Sequence, residues 1–171
     1  VTLPGAPLIV VGSNEFVAWG FTNSYGDWSD VIRLEQPDPD HYQTPDGIKA
    51  IEHIEETIAV KGEKPITLDI AQTQWGPVIR KEADGRSYAY RWVAHDVDQA
   101  VNLGLAKLEK AQSVLEALSI AKTTRIPAQN FVTADRHGNI GWTIAGAIPR
   151  RVGYSGRLPS EWQNGAQRWD G

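Results

Sequence analysis

Between Tyr42 and Ala94, short apolar runs alternate with clusters of turn-forming residues, and this punctuation constrains the fold more than any other feature. Thr57 to Val60 and Ile66 to Ile70 flank Lys61-Gly62-Glu63-Lys64, while Pro77 to Arg80 and Ser87 to Trp92 flank a turn at Asp84-Gly85. Runs of four to eight residues bounded by Gly, Pro or Asp are too short for stable helices and fit half-buried strands. An all-β segment is therefore predicted over 31–94. Helical periodicity begins only afterwards: Leu103, Leu105 and Leu108 mark one stretch, and Val114, Leu115 and Leu118 mark another behind a Ser113 cap. Pro127 closes that region.

The ends return to strand patterning. Pro7 to Val11 is a continuous apolar run, Gly12-Ser13-Asn14-Glu15 offers turn chemistry, and Phe16 to Phe21 resumes the run. Asn130 to Ala134 and Ile140 to Ala145 read as a hairpin joined through Asp135-Arg136-His137-Gly138-Asn139. No repeat recurs at a solenoid or propeller period. The abrupt start and end predict a piece of a longer chain.

Composition narrows the function. A formal net charge of -4 without a concentrated Lys/Arg face argues against nucleic acid as a partner, and no apolar run is long enough to span a membrane as a helix. The chain has no Cys, so disulfides, thiolate nucleophiles and cysteine metal sites are excluded. His41, His53, His95 and His137 lack the spacing of a zinc protease motif and read as surface or turn histidines. His95, Asp96 and Asp98 could support a base, but no Gly-x-Ser-x-Gly elbow accompanies them. Trp19, Trp75, Trp92 and Trp142 lie in strand-like runs and are expected to pack in the core. Asp27 and Asp30 form an acidic pair in a polar loop, which more often caps turns than binds a hard cation.

Two blocks go further. Leu3-Pro4-Gly5-Ala6-Pro7 through Gly12-Ser13-Asn14 precedes Ala18-Trp19-Gly20-Phe21-Thr22-Asn23 and then Asp27 and Asp30. Later come Asn130 to Asp135, Gly138-Asn139-Ile140-Gly141, Gly146-Ala147-Ile148-Pro149, Arg157-Leu158-Pro159 and Trp169-Asp170-Gly171. In order and spacing these blocks resemble the large subunit of the penicillin acylase family over nearly the whole chain.

That resemblance implies an N-terminal nucleophile hydrolase, in which a self-cleaving precursor exposes a Ser whose hydroxyl attacks an amide carbonyl while its own α-amino group takes the proton. Val1 has no hydroxyl, and the similarity places it downstream of that Ser. The second oxyanion-hole group, an Asn, is expected beyond Gly171. An isolated chain is thus expected to be inactive.

Carried over by position, the backbone N–H of Asn23 is the oxyanion donor, an interaction of about 3–4 kcal/mol in the transition state. Val11 and Phe21 match positions lining the acyl pocket, with their sizes reversed relative to phenylacetyl-binding members. Asp27, the Ser29 carbonyl, Asp30 and the Pro149 carbonyl match calcium-ligand positions, the metal not being required for chemistry. The resemblance also implies an N-acyl amide substrate, such as a β-lactam antibiotic or an acyl-homoserine lactone. It further implies a small subunit and the rest of the large subunit as partners, and a periplasmic or extracellular location.

The expected fold is a mixed α/β (α+β) fragment. Residues 1–30 form part of the hydrolase core sheet, 31–94 a small β insertion, 95–127 a helical segment, and 128–171 a returning hairpin and loop. Open sheet edges predict self-association. The alternative is a non-catalytic β-rich structural or calcium-binding interaction module.

Overall fold

The computed structural model describes all 171 residues. Its first strands are β1 (Gly12–Ser13), β2 (Val17–Asn23), β3 (Ser29–Leu34), β4 (His41–Thr44), β5 (Gly47–Ala50), β6 (Glu52–Ile58) and β7 (Ile66–Thr73). They are followed by β8 (Gly76–Lys81) and β9 (Ser87–Trp92), two 3-10 helices (Val93–His95 and Gly104–Lys110) and α1 (Val114–Thr123). The chain ends with β10 (Gln129–Asp135), β11 (Ile140–Ala145), β12 (Arg151–Val152) and β13 (Arg168–Trp169). It divides into two compact units, Val1–Trp28 with Val93–Ile148, and Ser29–Trp92 with Pro149–Gly171.

The first unit is an antiparallel sheet in the order β1-β2-β10-β11. Side chains alternate across a strand, so Val17, Trp19 and Phe21 share a face with Phe131, Thr133 and Ala145. That face packs Leu105, Leu108, Ala111, Ala117 and Ala121 into one core. Gly141 lies directly beneath α1: a Cβ there would meet Val114 Cγ1 at 2.7 Å and Leu118 Cδ1 at 2.9 Å. The helix begins where the sequence placed its cap, with Ser113 accepting from the Glu116 N–H at 3.2 Å. The opposite face carries Val132, Ile140 and Trp142, which are 45%, 83% and 61% exposed.

The second unit is a five-stranded sheet in the order β3-β9-β8-β7-β6, accompanied by the β4-β5 hairpin and the β12-β13 pair. Ile32, Leu34, Tyr42, Trp75, Ala89 and Trp162 form its core. The segment 149–171 has little regular structure of its own but docks on β3: Arg33 N–H donates to the Ser160 carbonyl, and Ser160 N–H to the Val31 carbonyl, each at 2.9 Å.

Several expectations need correction. The run Pro7 to Val11 is not a strand; the chain folds back there, with Val10 N–H bonded to the Val1 carbonyl at 3.0 Å while Leu8 and Ile9 pack on the core. The leucine stretch forms a 3-10 helix, Gly104–Lys110, rather than an α-helix. Trp19 and Trp75 are core residues, whereas Trp92 and Trp142 lie on the surface. Residues 149–171 group with the β-rich unit rather than with the hairpin, because Tyr154, Ser160, Trp162 and Trp169 bind there.

Candidate oxyanion site and the Asp30 cage

Asn23 is the last residue of β2, paired in register with Gln129. A strand end would ordinarily fray, yet both neighbouring groups are held. The Asn23 carbonyl accepts from Asn130 Nδ2 at 3.1 Å, and the Ser24 hydroxyl donates to the Ala128 carbonyl at 2.5 Å. Asn130 is in turn fixed through its Oδ1, which accepts from the Trp142 indole N–H at 3.1 Å.

At the other end of β2, Asn14 secures the turn. Its Oδ1 accepts from the Phe16 and Val17 N–H groups, and its Nδ2 donates to the carbonyls of Leu108, Glu109 and Ala111 at 3.2, 3.1 and 2.7 Å. Glu15 takes the left-handed backbone beside it, with φ 73°. Asp135 holds the hairpin turn from the opposite strand; hydrogen bonds led by the Asn139 side chain keep its carboxyl below the usual range.

Val11 and Phe21 do not converge. Phe21 points to the helix-covered core and meets Phe131 at 5.3 Å between ring centroids. Val11 lies over Gly20, where a Cβ would come within 3.8 Å of its Cγ1, and so sits on the opposite face of β2.

In the second unit Asp30 is the centre of a closed cage. Its side chain is 1% exposed, and its carboxylate accepts from Arg151 Nε at 3.2 and 2.9 Å, Tyr154 OH at 2.8 Å and Trp169 Nε1 at 2.5 Å. Arg151 also donates to the Ser29 carbonyl at 3.2 Å. Burial, followed by the hydrogen bond to Asp30 and its charge, pushes the Tyr154 phenol well above its ordinary value. Rings of Tyr154, Trp162 and Trp169 stack edge to face around the pair, with centroids 6.0–6.1 Å apart.

These groups do not fit a resident divalent cation. A calcium ion needs six to eight oxygens turned inward, but the oxygens of Asp30 and Ser29 already accept from the Arg151 guanidinium. Asp27 is exposed and belongs to the first unit; Pro149 is buried and opens the final segment of the second. No group of three or more His, Asp or Glu side chains could hold a metal. The histidines sit on separate elements, His41 meeting Asp38 at 2.8 Å and His53 meeting Asp69 at 2.9 Å.

Sequence reasoning missed Arg151, Tyr154, Asn130 and Trp142 as parts of these arrangements. Trp142 and Asn130 are two steps apart across a hairpin that was legible, so their proximity was available from register. Arg151 and Asp30 are separated by 121 positions, and no local pattern announces them.

The penicillin amidase family model matches residues 1–171. The chain belongs to that family. It is 30% identical to acyl-homoserine lactone acylase QuiP of Pseudomonas aeruginosa over the whole of this chain and 22% of that protein. It is 29% identical to penicillin G acylase of Escherichia coli, over 96% of this chain and 19% of that one. The solved structure of the thermostable penicillin G acylase from Alcaligenes faecalis superposes with a TM-score of 0.83 at 27% identity, covering 99% of this chain and 31% of the other. The chain therefore spans about a fifth of the length of the curated relatives it matches. The mixed, strand-rich fold expected from the resemblance agrees with this penicillin amidase architecture.

Proposed function

We propose that this chain is the part of an amide-hydrolysing acylase that supplies one oxyanion donor, the backbone N–H of Asn23. The observation supporting this is the fixed end of β2, where Asn130 and Ala128 hold the groups immediately following that N–H. In this reading a Ser outside these residues attacks the acyl carbonyl of an N-acyl compound, and its proton passes to that residue's own amine. The developing oxyanion takes the Asn23 hydrogen bond, the amine leaves carrying the proton, and water then hydrolyses the acyl-enzyme.

Relatives named for acyl-homoserine lactones and for penicillin G support an N-acyl substrate class, either a β-lactam with an acyl side chain or an acyl-homoserine lactone. The partners are the remaining large subunit and a small subunit, in the periplasm or outside the cell. In the same reading the isolated chain self-associates through an open sheet edge.

The test is hydrolysis of phenylacetyl and decanoyl p-nitroanilides by this chain alone and by the full precursor. Turnover only by the precursor is expected. Turnover by the chain alone would place the nucleophile within it and end the proposal.

A further inference from the structure

We infer that Asn130, oriented by Trp142, is a positioning residue that fixes the oxyanion donor; this rests on the assignment of the Asn23 N–H. Asn23 ends its strand, so no ladder beyond it holds the 23–24 peptide, which shares the Asn23 Cα with the 22–23 peptide that carries the donor N–H. Asn130 substitutes for the missing ladder bond by donating Nδ2–H to the Asn23 carbonyl at 3.1 Å. A carboxamide is ambiguous by shape, since either end could face that carbonyl. Trp142 removes the ambiguity: an indole N–H can only donate, so at 3.1 Å it selects the oxygen of Asn130 and leaves the NH2 for Asn23.

The geometry follows from the sheet. Asn130 pairs with Thr22, the residue before Asn23, and Trp142 pairs with Val132, so all these side chains share the open face, away from the helix-packed core. Neither Asn130 nor Trp142 belongs to either hydrophobic core. Their hydrogen bonds act on the one strand end where the donor sits. The Ser24 hydroxyl on the Ala128 carbonyl holds the following residue independently, so loss of Asn130 shifts the donor without releasing the loop.

A donor displaced by about 1 Å can cost about a hundredfold in rate, while removing an oxyanion donor outright costs about 10²–10³. Asn130→Asp is the sharpest perturbation: it keeps the size and the acceptor for Trp142 but turns an oxygen toward the Asn23 carbonyl. In the full processed enzyme it is expected to lower kcat about 10–100-fold with KM within about threefold. Trp142→Phe, which keeps a ring but frees the amide to flip, is expected to lower kcat by a smaller factor, again without moving KM.

Asn23→Pro, which deletes the donor N–H itself, is measured beside them, with thermal melting and precursor processing checked for each. If Asn23→Pro is processed and folded yet retains kcat, the donor assignment fails and this inference with it. If Asn23→Pro loses kcat while Asn130→Asp retains it, only the role of Asn130 is refuted. A fall in kcat for Asn130→Asp accompanied by an equal loss of substrate affinity and a lowered Tm would mark a merely structural residue and equally refute it. Should Asn130→Asp fail to process, an unchanged kcat in Trp142→Phe refutes the inference and a lowered kcat at constant KM supports it.

Discussion

Arg151→Met is the most informative perturbation of stability. The Asp30 side chain is 1% exposed and that of Arg151 15%, so the pair is shielded from water on nearly every side. Two buried charges attract strongly, but their desolvation cancels much of the gain. Removing one partner leaves the other unpaired, at a cost of about 3–5 kcal/mol. Here the loss is tempered by Tyr154 and Trp169, which still donate to the carboxylate, and aggravated by the Ser29 carbonyl, which loses its Arg151 donor.

For a chain of this size each kcal/mol moves Tm by about 2–4 °C, so a fall of roughly 6–20 °C is expected. Tryptophan fluorescence reads it directly, because Trp75, Trp162 and Trp169 lie in or against this core. The double variant Arg151→Met with Asp30→Leu should recover much of the loss, as apolar replacement of a whole buried pair commonly does. Millimolar calcium should leave the Tm of the unsubstituted chain unmoved. A Tm within about 2 °C of the parent for Arg151→Met, or a large stabilisation of the unsubstituted chain by calcium, would refute the view that the guanidinium neutralises Asp30.

Tyr154 and Tyr42 are both raised above the ordinary phenol range, chiefly by burial. They stay protonated where unfolded tyrosines ionise, so stability should hold below about pH 10 and fall as pH rises above it, with a slope of up to about 1.4 kcal/mol per pH unit for each. Urea denaturation at pH 8 to 11 checks this; a flat profile, or one that Tyr154→Phe leaves unchanged, contradicts it. Asn14→Ala severs two hydrogen bonds within the β2 turn and three from it to the 3-10 helix and its C-cap, and should cost about 2–3 kcal/mol by denaturant midpoint, the scale of orphaning partly buried backbone groups. A change below 0.5 kcal/mol, of the order expected for an ordinary surface substitution, would contradict that role.

What the sequence made legible were features written in local chemistry. The 130–145 hairpin follows from alternation about the turn Asp135-Arg136-His137-Gly138-Asn139, and α1 from a Ser cap followed by apolar spacing. Pro7 to Val11 misled because an apolar run satisfies a folded-back segment packed on a core as well as it does a strand. Trp142 misled because a tryptophan on a pleated strand has two faces to choose between, and only the tertiary fold decides which is covered. The Asp30 cage was unreadable for a different reason: its cation comes from Arg151, far along the chain, and is held by rings whose spacing follows no period. The resemblance pointed to Asp30 and Ser29 as oxygens facing a cation, and they do face one, but it is a guanidinium.

The proposed role has these residues supply a donor to a nucleophile located elsewhere in the acylase. Its most direct test is to quench the full processed enzyme during hydrolysis of an activated acyl ester and locate the acyl adduct by peptide mass mapping. The adduct is expected on an N-terminal Ser outside residues 1–171; an adduct on any side chain within them would contradict the claim.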